Sequence, residues 1–319
     1  MGRFTRLMAT AGLLFGALAG PALAQTVGLG TTQGGATGQI ATALAQMVSQ
    51  HGGGLQVRPQ AVANTAQYIP AINQGQLEFG IANLPQTSYA ITGTGMGETQ
   101  ANPNLRMVAT LFPFNAGLVV TKQSGMRSYA DLKGKRVPWY PDKSLGDYIM
   151  RASLEVAGLK PEDVVRVPMA NFPRQFEAFK AGQIDASIAA VGSQPTIEFE
   201  ASLPGGIRFL TFKKDDEATL ARWMPGTYLR NVPVRTETPG VEADTLGFAY
   251  DYTLFANASV PDDVVYRFAK AIHDRPTDLK ATSPLWEEYD PKQLAKDVKL
   301  TYHPGALRFY REAGIWKGQ

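Results

Sequence analysis

The segment GTTQGGATGQIATALAQ, residues 30–46, decides the fold class because it joins a strand pattern to a helix pattern through a glycine-rich turn. Before it, Val27 and Leu29 alternate with small residues, as in a short strand. Apolar residues then recur at the i, i+3, i+4 spacing of a helix with one buried face, namely Ile40, Ala43, Leu44, Met47 and Val48. The glycines therefore occupy a strand-to-helix turn, which is the basic unit of an α/β fold.

The alternation of strand and helix patterns continues along the chain and indicates largely parallel sheets. Between residues 55 and 122 the predicted order is strand, helix, strand, then two strands on either side of Pro113. A second series of strands and helices follows between residues 136 and 212. Residues 222–243 are rich in proline and glycine, which predicts a connector, and residues 245–274 read as a strand and a helix.

Two similar series separated by connectors predict two α/β lobes, one of them inserted between two parts of the other. We place the first part of lobe 1 at residues 25–120 and lobe 2 at residues 121–225. A connector and the second part of lobe 1 are expected to occupy residues 226–319.

The first 24 residues differ from the rest and predict a secretory signal peptide, residues 1–24, cut before Gln25. Arg3 and Arg6 supply the basic start, an apolar run follows, and Ala22 and Ala24 give the small-x-small end. That apolar run is too short for a comfortable membrane span, and no later segment approaches the roughly 20 apolar residues needed. We therefore expect the mature protein to be periplasmic and not embedded in a membrane.

Composition is that of an ordinary globular protein, with 44% hydrophobic and 18% charged residues among 319. Without the predicted signal peptide, 29 basic residues face 28 acidic ones, a net charge of +1. No basic patch stands out, so nucleic acid is not an expected partner. The chain has no cysteine, so its stability must come from its core and not from disulfides.

Polar residues cluster where predicted strands give way to helices. A helix start has free N–H groups and the positive end of the helix dipole, and therefore favours a carboxylate or a phosphate. The glycines around residue 34 would let such a ligand approach the backbone. Five junctions provide the candidate ligand-binding residues: Gly35, Thr37 and Gln39; Asn64 and Thr65; Trp139, Tyr140, Lys143 and Ser144; Asn171 and Arg174; and Ser193 and Gln194.

Each junction also has a purely structural interpretation. The glycines can serve turn geometry alone, and Thr37 and Asn64 can simply cap helices. Trp139 and Tyr140 can be packed aromatic residues beside a surface turn. All five junctions, however, lie at the carboxyl ends of predicted strands, where open α/β sheets bind ligands. This shared position favours one binding cleft.

An enzyme has less support from the sequence. The chain lacks a nucleophile elbow, a Walker A loop, a zinc-protease helix motif and a complete dinucleotide-binding motif. His51, His273 and His303 are far apart without metal-ligand spacing, and we expect them to be surface or capping residues. No metal or cofactor is expected, although an acid–base pair is recognised by geometry and not by sequence.

Several long segments resemble the TAXI family, the solute receptors of one class of TRAP transporters. The resemblance covers nearly all of the mature chain, and the terminal segment is its most specific part. The segments are GTTQGGATGQIATALAQMVSQH (30–51), AVANTAQYIPAINQGQLEFGIAN (61–83), MRSYADLKGKRV (126–137), LEVAGLKPEDV (154–164), AFKAGQIDASIAAVGSQP (178–195) and YHPGALRFYREAGIW (302–316).

The resemblance implies a class II periplasmic binding protein fold, in which two α/β lobes joined by a hinge hold the ligand in the cleft between them. It also implies an organic acid or amino acid as ligand and delivery to an ion-gradient-driven TRAP permease in the membrane. By position it implies ligand contacts from Gly35, Thr37, Asn64, Thr65 and Asn83.

One departure from the family bears on the ligand. Many members have a Gly-Ser-Gly-Thr turn in the second lobe where this chain has YPDKSLGD, residues 140–147. Trp139 and Tyr140 beside that turn would favour an aromatic or otherwise apolar acid. Two other functions stay open: a receptor of the same fold for an ATP-driven transporter or a sensor, and an enzyme on a related binding-protein fold. His303 and Pro304 are expected either to cap the last helix or to contact the permease.

Overall fold

The computed structural model describes residues 25–95, 100–243 and 245–317, so the predicted signal peptide lies outside the described residues. Strands and helices alternate from the start, as the sequence predicts. The first series consists of β1 (Gln25–Thr32), α1 (Gly35–His51), β2 (Leu55–Val62), α2 (Thr65–Asn73), β3 (Phe79–Asn83), α3 (Leu84–Thr92) and β4 (Leu105–Thr121).

The second series begins after β4 and a short 3₁₀ turn at Tyr129–Leu132. It consists of β5 (Arg136–Trp139), α4 (Leu145–Val156), β6 (Val165–Pro168), α5 (Phe172–Lys180), β7 (Ser187–Ala190), α6 (Gln194–Ser202) and β8 (Ile207–Phe209). The chain ends with α7 (Glu217–Trp223), β9 (Tyr228–Asn231), β10 (Leu246–Asn257), α8 (Asp262–Asp274), α9 (Pro276–Lys280) and α10 (Pro304–Glu312).

Eight of the described strands form one mixed sheet in the order β2-β1-β3-β10-β4-β7, with β8 also beside β4 and β9 beside β10. Strand β1 runs parallel to β2 and β3, whereas β10 runs antiparallel to β3 and β4. Strands β5 and β6 form a separate parallel pair. This is the two-lobed α/β fold of periplasmic binding proteins, as the sequence predicts.

Two long antiparallel strands connect the lobes. The early part of β4 lies beside β10 where β10 pairs with β3, and its later residues pair with β7 and β8. Strand β10 leads the chain back to the strands of the β1–β3 side, since its first residues, Leu246–Ala249, pair with β9 and its later residues, Tyr252–Ala256, pair with β3. We call the side with β1–β3 the first lobe and the side with β5–β8 the second lobe. The predicted boundaries at residues 120 and 225 stay predictions.

The sequence prediction of two strands around Pro113 is wrong, because β4 is one continuous strand of 17 residues. Pro113 faces Asp251, and the register between β4 and β10 shifts between Asp251 and Thr253. A proline has no N–H for the ladder and is therefore tolerated at such an irregularity. The break in the sequence pattern marks the crossing between lobes and not a strand end.

Four other elements differ from the sequence prediction. Helices α3, α7 and α9 and strand β9 form in segments for which the sequence predicts no regular element or a connector. For α3 the signal was present, since Asn83 accepts a hydrogen bond from Gln86 N at 2.9 Å as its N-cap and Pro85 follows in the first turn. Strand β9 forms inside a proline-rich stretch because β10 supplies its hydrogen-bonding partner.

The C-terminal helices pack on the first lobe. Helix α8 packs against both α1 and α10. Gly305 in α10 is so close to α8 that a Cβ there would lie 2.1 Å from the carbonyl oxygen of Asp262. His303 is fully buried and accepts a hydrogen bond from Gly305 N at 3.2 Å, which confirms it as the helix cap. Pro304 beside it is exposed, and a permease contact at this segment stays a prediction.

Candidate functional site

A cleft with a cavity volume of about 380 Å³ lies between the two lobes. One wall consists of the turns after β1, β2 and β3, and the opposite wall of the turns after β5, β6 and β7. Strands β4 and β10 form its floor. Ligands of open α/β sheets bind at these carboxyl ends of strands, and the volume lies in the usual range for small-molecule sites.

The first-lobe wall is polar and uncharged. Thr65 Oγ1 accepts a hydrogen bond from Gln86 Nε2 at 2.9 Å, and Asn83 holds the start of α3. Asn64 begins α2 without using its side chain as a cap, so its amide is exposed to the cleft. The side chains and turn residues of this wall include Thr32, Gln33, Gly34, Gly35, Thr37, Asn64, Thr65, Asn83 and Gln86.

The second-lobe wall is largely apolar. Tyr140 is almost fully buried, its ring lies 5.2 Å from that of Phe172, and its hydroxyl donates to Gln175 Oε1 at 2.5 Å. Gln175 in turn bonds both backbone groups of Ile188, donating to the carbonyl at 2.8 Å and accepting from N–H at 3.0 Å. The large side chains of this wall are Tyr140, Leu145, Ile149, Phe172, Phe176 and Ile188.

Lys143 is the unpaired charge of the cleft. Its backbone has a positive φ of 63°, and its N–H donates to Asp147 Oδ2 at 2.9 Å in the turn that Ser144 caps. Its ammonium group has no ion-pair partner among the described residues, and it is exposed. Asp142, the other charged residue of the lining, is paired with Arg151 at 3.0 Å. Arg151 also pairs with Asp147 at 2.7 Å, so two carboxylates share one guanidinium group, and Lys143 is the unpaired cation of the described lining.

Aromatic residues of the two connecting strands form the floor. The rings of Phe114 and Tyr250 stack at 5.5 Å, and Tyr252 meets Phe114 edge-on at 4.8 Å. The Tyr252 hydroxyl is hydrogen-bonded to Thr37 Oγ1 at 2.8 Å, which ties the floor to the first helix start. Burial raises the pKa of Tyr252 to about 12 and holds that of Tyr250 well above its usual value, so both hydroxyls stay neutral.

The sequence did not predict Phe114, Tyr250 and Tyr252 as ligand-binding residues. Strand alternation was the available signal, because Tyr250 and Tyr252 point to one face of the predicted strand 245–258 and Asp251 to the other. In the structure both tyrosines line the cleft, whereas Asp251 pairs with Lys296 at 2.9 Å. The pattern could not show that this strand passes between the lobes.

The structure brings together eight of the predicted ligand-binding residues. They come from different turns of both lobes and all line the cleft, namely Gly35, Thr37, Asn64, Thr65, Asn83, Tyr140, Lys143 and Ser144. Asn171 and Ser193, named at the fourth and fifth junctions, line it as well. Their contact with a ligand stays a prediction.

Trp139 lies outside the lining of the cleft. It precedes Tyr140 at the end of a strand, and successive strand residues point to opposite faces. Tyr140 faces the cleft, whereas the ring of Trp139 contacts the guanidinium groups of Arg151 and Arg166, each 5.3 Å from the ring centroid. The ring thus makes two cation–π contacts.

Gln39, Arg174 and Gln194 also lie outside the lining. Arg174 is exposed and pairs with Glu177 at 2.6 Å on the same helix. Gln194 is exposed and donates to Glu198 at 3.3 Å. Both side chains lie on the solvent-facing sides of the first turns of α5 and α6. The position of a residue in the sequence places it near a helix start but does not tell whether its side chain faces the cleft or the solvent.

None of the three histidines lines the cleft. His51 lies 3.8 Å from Asp278, His273 is hydrogen-bonded to Asp274 at 2.9 Å, and His303 is the buried cap of α10. No group of three or more His, Cys, Asp or Glu side chains that could hold a metal ion occurs within residues 25–95, 100–243 and 245–317. In the same ranges, no helix combines the length and the apolar character needed to cross a membrane.

Comparison with known families gives a match over residues 29–314 to the model of the NMT1-like family. The chain belongs to the NMT1-like family. A Brucella abortus (strain 2308) protein that is named only as a binding protein is 30% identical over 134 residues. Those residues are 42% of this chain and 38% of that protein, so the chain matches well under half of the length of its curated relative.

Solved structures show the fold of this NMT1-like family member. MatC from Rhodopseudomonas palustris, with bound malate, has a TM-score of 0.58 at 14% identity, covering 92% of this chain and 98% of that one. A binding protein component of an ABC phosphonate transporter from Pseudomonas aeruginosa has a TM-score of 0.56 at 10% identity, covering 86% and 82%. The Brucella abortus relative and the Pseudomonas aeruginosa neighbour are both named as binding proteins. These likenesses show the fold of the chain.

Proposed function

We propose that this protein captures a small organic acid anion, a carboxylate in the first place, between its two lobes and delivers it to a membrane transporter. The observation that carries the proposal is the cleft itself, which is lined by helix starts of both lobes and contains the unpaired ammonium group of Lys143. Free N–H groups and a lone cation both favour a negatively charged guest.

The division of the site between two lobes supports a closing mechanism. Thr37, Asn64 and Thr65 belong to the first lobe and Lys143 and Ser144 to the second, so neither lobe alone surrounds a ligand. A ligand that contacts both sets binds the closed arrangement more tightly than an open one. Closure about β4 and β10 would then present a shape that the transporter recognises.

The membrane partner has two candidates. We propose an ATP-driven transporter, because the Pseudomonas aeruginosa neighbour is named as a component of an ABC transporter. A TRAP permease is the second candidate, with an amino acid as the second candidate ligand, supported by the resemblance of segments such as residues 302–316 to TAXI receptors. Uptake of the labelled ligand by cells that contain the receptor and its transporter separates the two. Loss of uptake on ATP depletion at a constant ion gradient favours the first, and loss on collapse of the gradient at constant ATP favours the second.

A thermal-shift screen tests the binding function. The panel contains mono- and dicarboxylates, amino acids, methylphosphonate, an alkanesulfonate, sugars and divalent metals. A ligand at 100 times its Kd stabilises the native state by about 2.7 kcal/mol, which raises the melting temperature by several degrees. We expect carboxylates to give such a rise. A response to sugars or metals alone would contradict the proposal.

Scattering and a matched pair of variants locate the binding. The radius of gyration should fall on addition of the ligand, since closure brings the lobes together. Lys143→Gln should weaken binding, whereas Lys133→Gln, which removes an exposed lysine outside the cleft, should not. An equal effect of both exchanges would place the ligand elsewhere.

A further inference from the structure

We propose that the ligand is an amphipathic monoanion, a monocarboxylate with an apolar body, and that the Tyr250 hydroxyl donates a hydrogen bond to it. This inference rests on the proposed function and names the class of acid that the same cleft takes. Three independent features carry it: the unequal walls of the cleft, its charge, and an unsatisfied hydroxyl in its floor.

The walls differ in the size and polarity of their side chains. The first-lobe wall contains hydroxyl, amide and small side chains, with no large apolar residue. The second-lobe wall and the floor contain Ile149, Phe172, Phe176, Ile188 and Phe114. A fully polar ligand would place its polar groups against these apolar side chains, where they find no hydrogen-bond partner. It would also bring no apolar surface of its own for these side chains to bury. A ligand with one polar end and one apolar body matches both walls.

The charge of the lining limits the ligand to one negative charge. Lys143 is the one unpaired cation of the described lining, and Asp142 shares Arg151 with Asp147, so no second cation is available to a ligand there. No arginine is present among the described lining residues, so the bidentate partner that usually holds a second carboxylate is missing there. A dianion would have to give up the hydration of its second carboxylate for neutral donors only.

Tyr250 presents a hydroxyl that the protein itself does not use. The residue is 2% exposed and lines the cleft, and its hydroxyl has no hydrogen-bond partner among the described residues. By contrast, the neighbouring Tyr252 hydroxyl is bonded to Thr37. Burial raises the pKa of Tyr250 well above its usual value, so this hydroxyl is a neutral donor at any physiological pH. Its oxygen is not among the fully buried polar atoms that lack a partner, so a ligand oxygen in the cleft can reach it.

A homologous series of acids tests the class. Affinity is measured by calorimetry for acetate, butanoate, hexanoate and octanoate, and for adipate, which has the length of hexanoate and a second carboxylate. Each added methylene should improve affinity about fourfold until the cleft is filled. Hexanoate should bind at least tenfold more tightly than adipate.

Two variants with matched controls test the named groups. Tyr250→Phe keeps the ring and removes the hydroxyl, and it should weaken hexanoate binding roughly tenfold to a hundredfold. Tyr148→Phe is its control, because Tyr148 lies outside the lining and its hydroxyl has no partner among the described residues. In wild type, hexanoate affinity should fall with added salt, and Lys143→Gln should abolish that dependence.

The outcomes separate this inference from the function on which it rests. If adipate or malate binds as tightly as hexanoate, or if chain length has no effect, the inference is overturned while acid binding stands. Equal effects of Tyr250→Phe and Tyr148→Phe overturn the role of the hydroxyl. If no acid of the series, of either charge, changes the melting temperature or gives heat, the proposed function fails together with the inference.

Discussion

Gln175 holds the second-lobe wall together, and its replacement by leucine gives a sharp test of the structure. The side chain is fully buried and makes four hydrogen bonds. It donates to Ser187 Oγ and Ile188 O at 2.8 Å each, and it accepts from Ile188 N at 3.0 Å and from Tyr140 at 2.5 Å. By bonding both backbone groups of Ile188, the amide takes the place of a neighbouring strand.

The expected cost follows from the groups that Gln175→Leu leaves without a partner. Each buried polar group left without a partner lowers the free energy of unfolding by about 1–3 kcal/mol. A typical intramolecular hydrogen bond contributes about 1 kcal/mol to that free energy. In Gln175→Leu, Ile188 N and the Tyr140 hydroxyl lose their hydrogen bonds to Gln175 Oε1. Ser187 Oγ keeps a long hydrogen bond to Ile188 O at 3.4 Å. We therefore expect a loss of about 3–5 kcal/mol in the free energy of unfolding. Tyr140→Phe alone should cost only about 1 kcal/mol, because Gln175 Oε1 keeps its bond from Ile188 N.

Urea unfolding of four proteins measures these quantities: wild type, both single variants and the double variant. In the double variant no Tyr140 hydroxyl is left unpaired, so its loss should be smaller than the sum of the single losses by about 1 kcal/mol. Gln183→Leu is the control, since Gln183 is exposed just after the same helix. A loss below about 1.5 kcal/mol for Gln175→Leu, or strict additivity, would refute the buried network.

Three further predictions concern stability. Gly305→Ala places a Cβ 2.1 Å from the Asp262 carbonyl oxygen, so it should cost about 1–3 kcal/mol and lower the melting temperature by several degrees in calorimetry. Burial lowers the pKa of His303 despite the opposing charge of Asp262, so the native state disfavours protonation. Wild type should therefore lose stability in urea titrations as pH falls below 6.5, and His303→Asn, which keeps a cap acceptor, should not lose it in that window. Lys296→Met leaves the buried Asp251 carboxylate unpaired and should cost on the order of 2 kcal/mol, less than a fully buried pair because Lys296 is 31% exposed, and Asp251→Asn should recover part of the loss.

Local patterns predicted the elements that bury one face. The helix of Ile40, Leu44, Met47 and Val48 and the strands flanking it all form as predicted, because periodicity reports burial directly. The local sequence pattern gave wrong predictions where pairing with a strand distant in the sequence decides the structure. Strand β9 depends on β10, and β4 continues through Pro113 because β10 accompanies it.

The candidate site shows the same limit. Junction by junction, the sequence locates the turns that surround the cleft, because strand ends and cap residues are local signals. It does not decide which side chain of a turn points inward, as the opposite directions of Trp139 and Tyr140 show. The sequence also does not predict Tyr250 as a site residue, because Tyr250 lines the cleft only where two long strands cross between the lobes.

The crossing strands connect ligand contact to lobe movement. Along β10, Tyr250 and Tyr252 face the cleft, whereas Asp251 between them is held by Lys296 on the other side. The register shift between Asp251 and Thr253 lies at this same point, where the ladder with β4 is irregular. Under the proposed closure about β4 and β10, a ligand bonded to the floor would therefore contact the hinge segment. An amphipathic acid that is bonded to Tyr250 and also contacts Lys143 in the second lobe and Thr37 in the first would bias closure more strongly than a short acid bound by Lys143 alone, because only the former contacts both lobes at once.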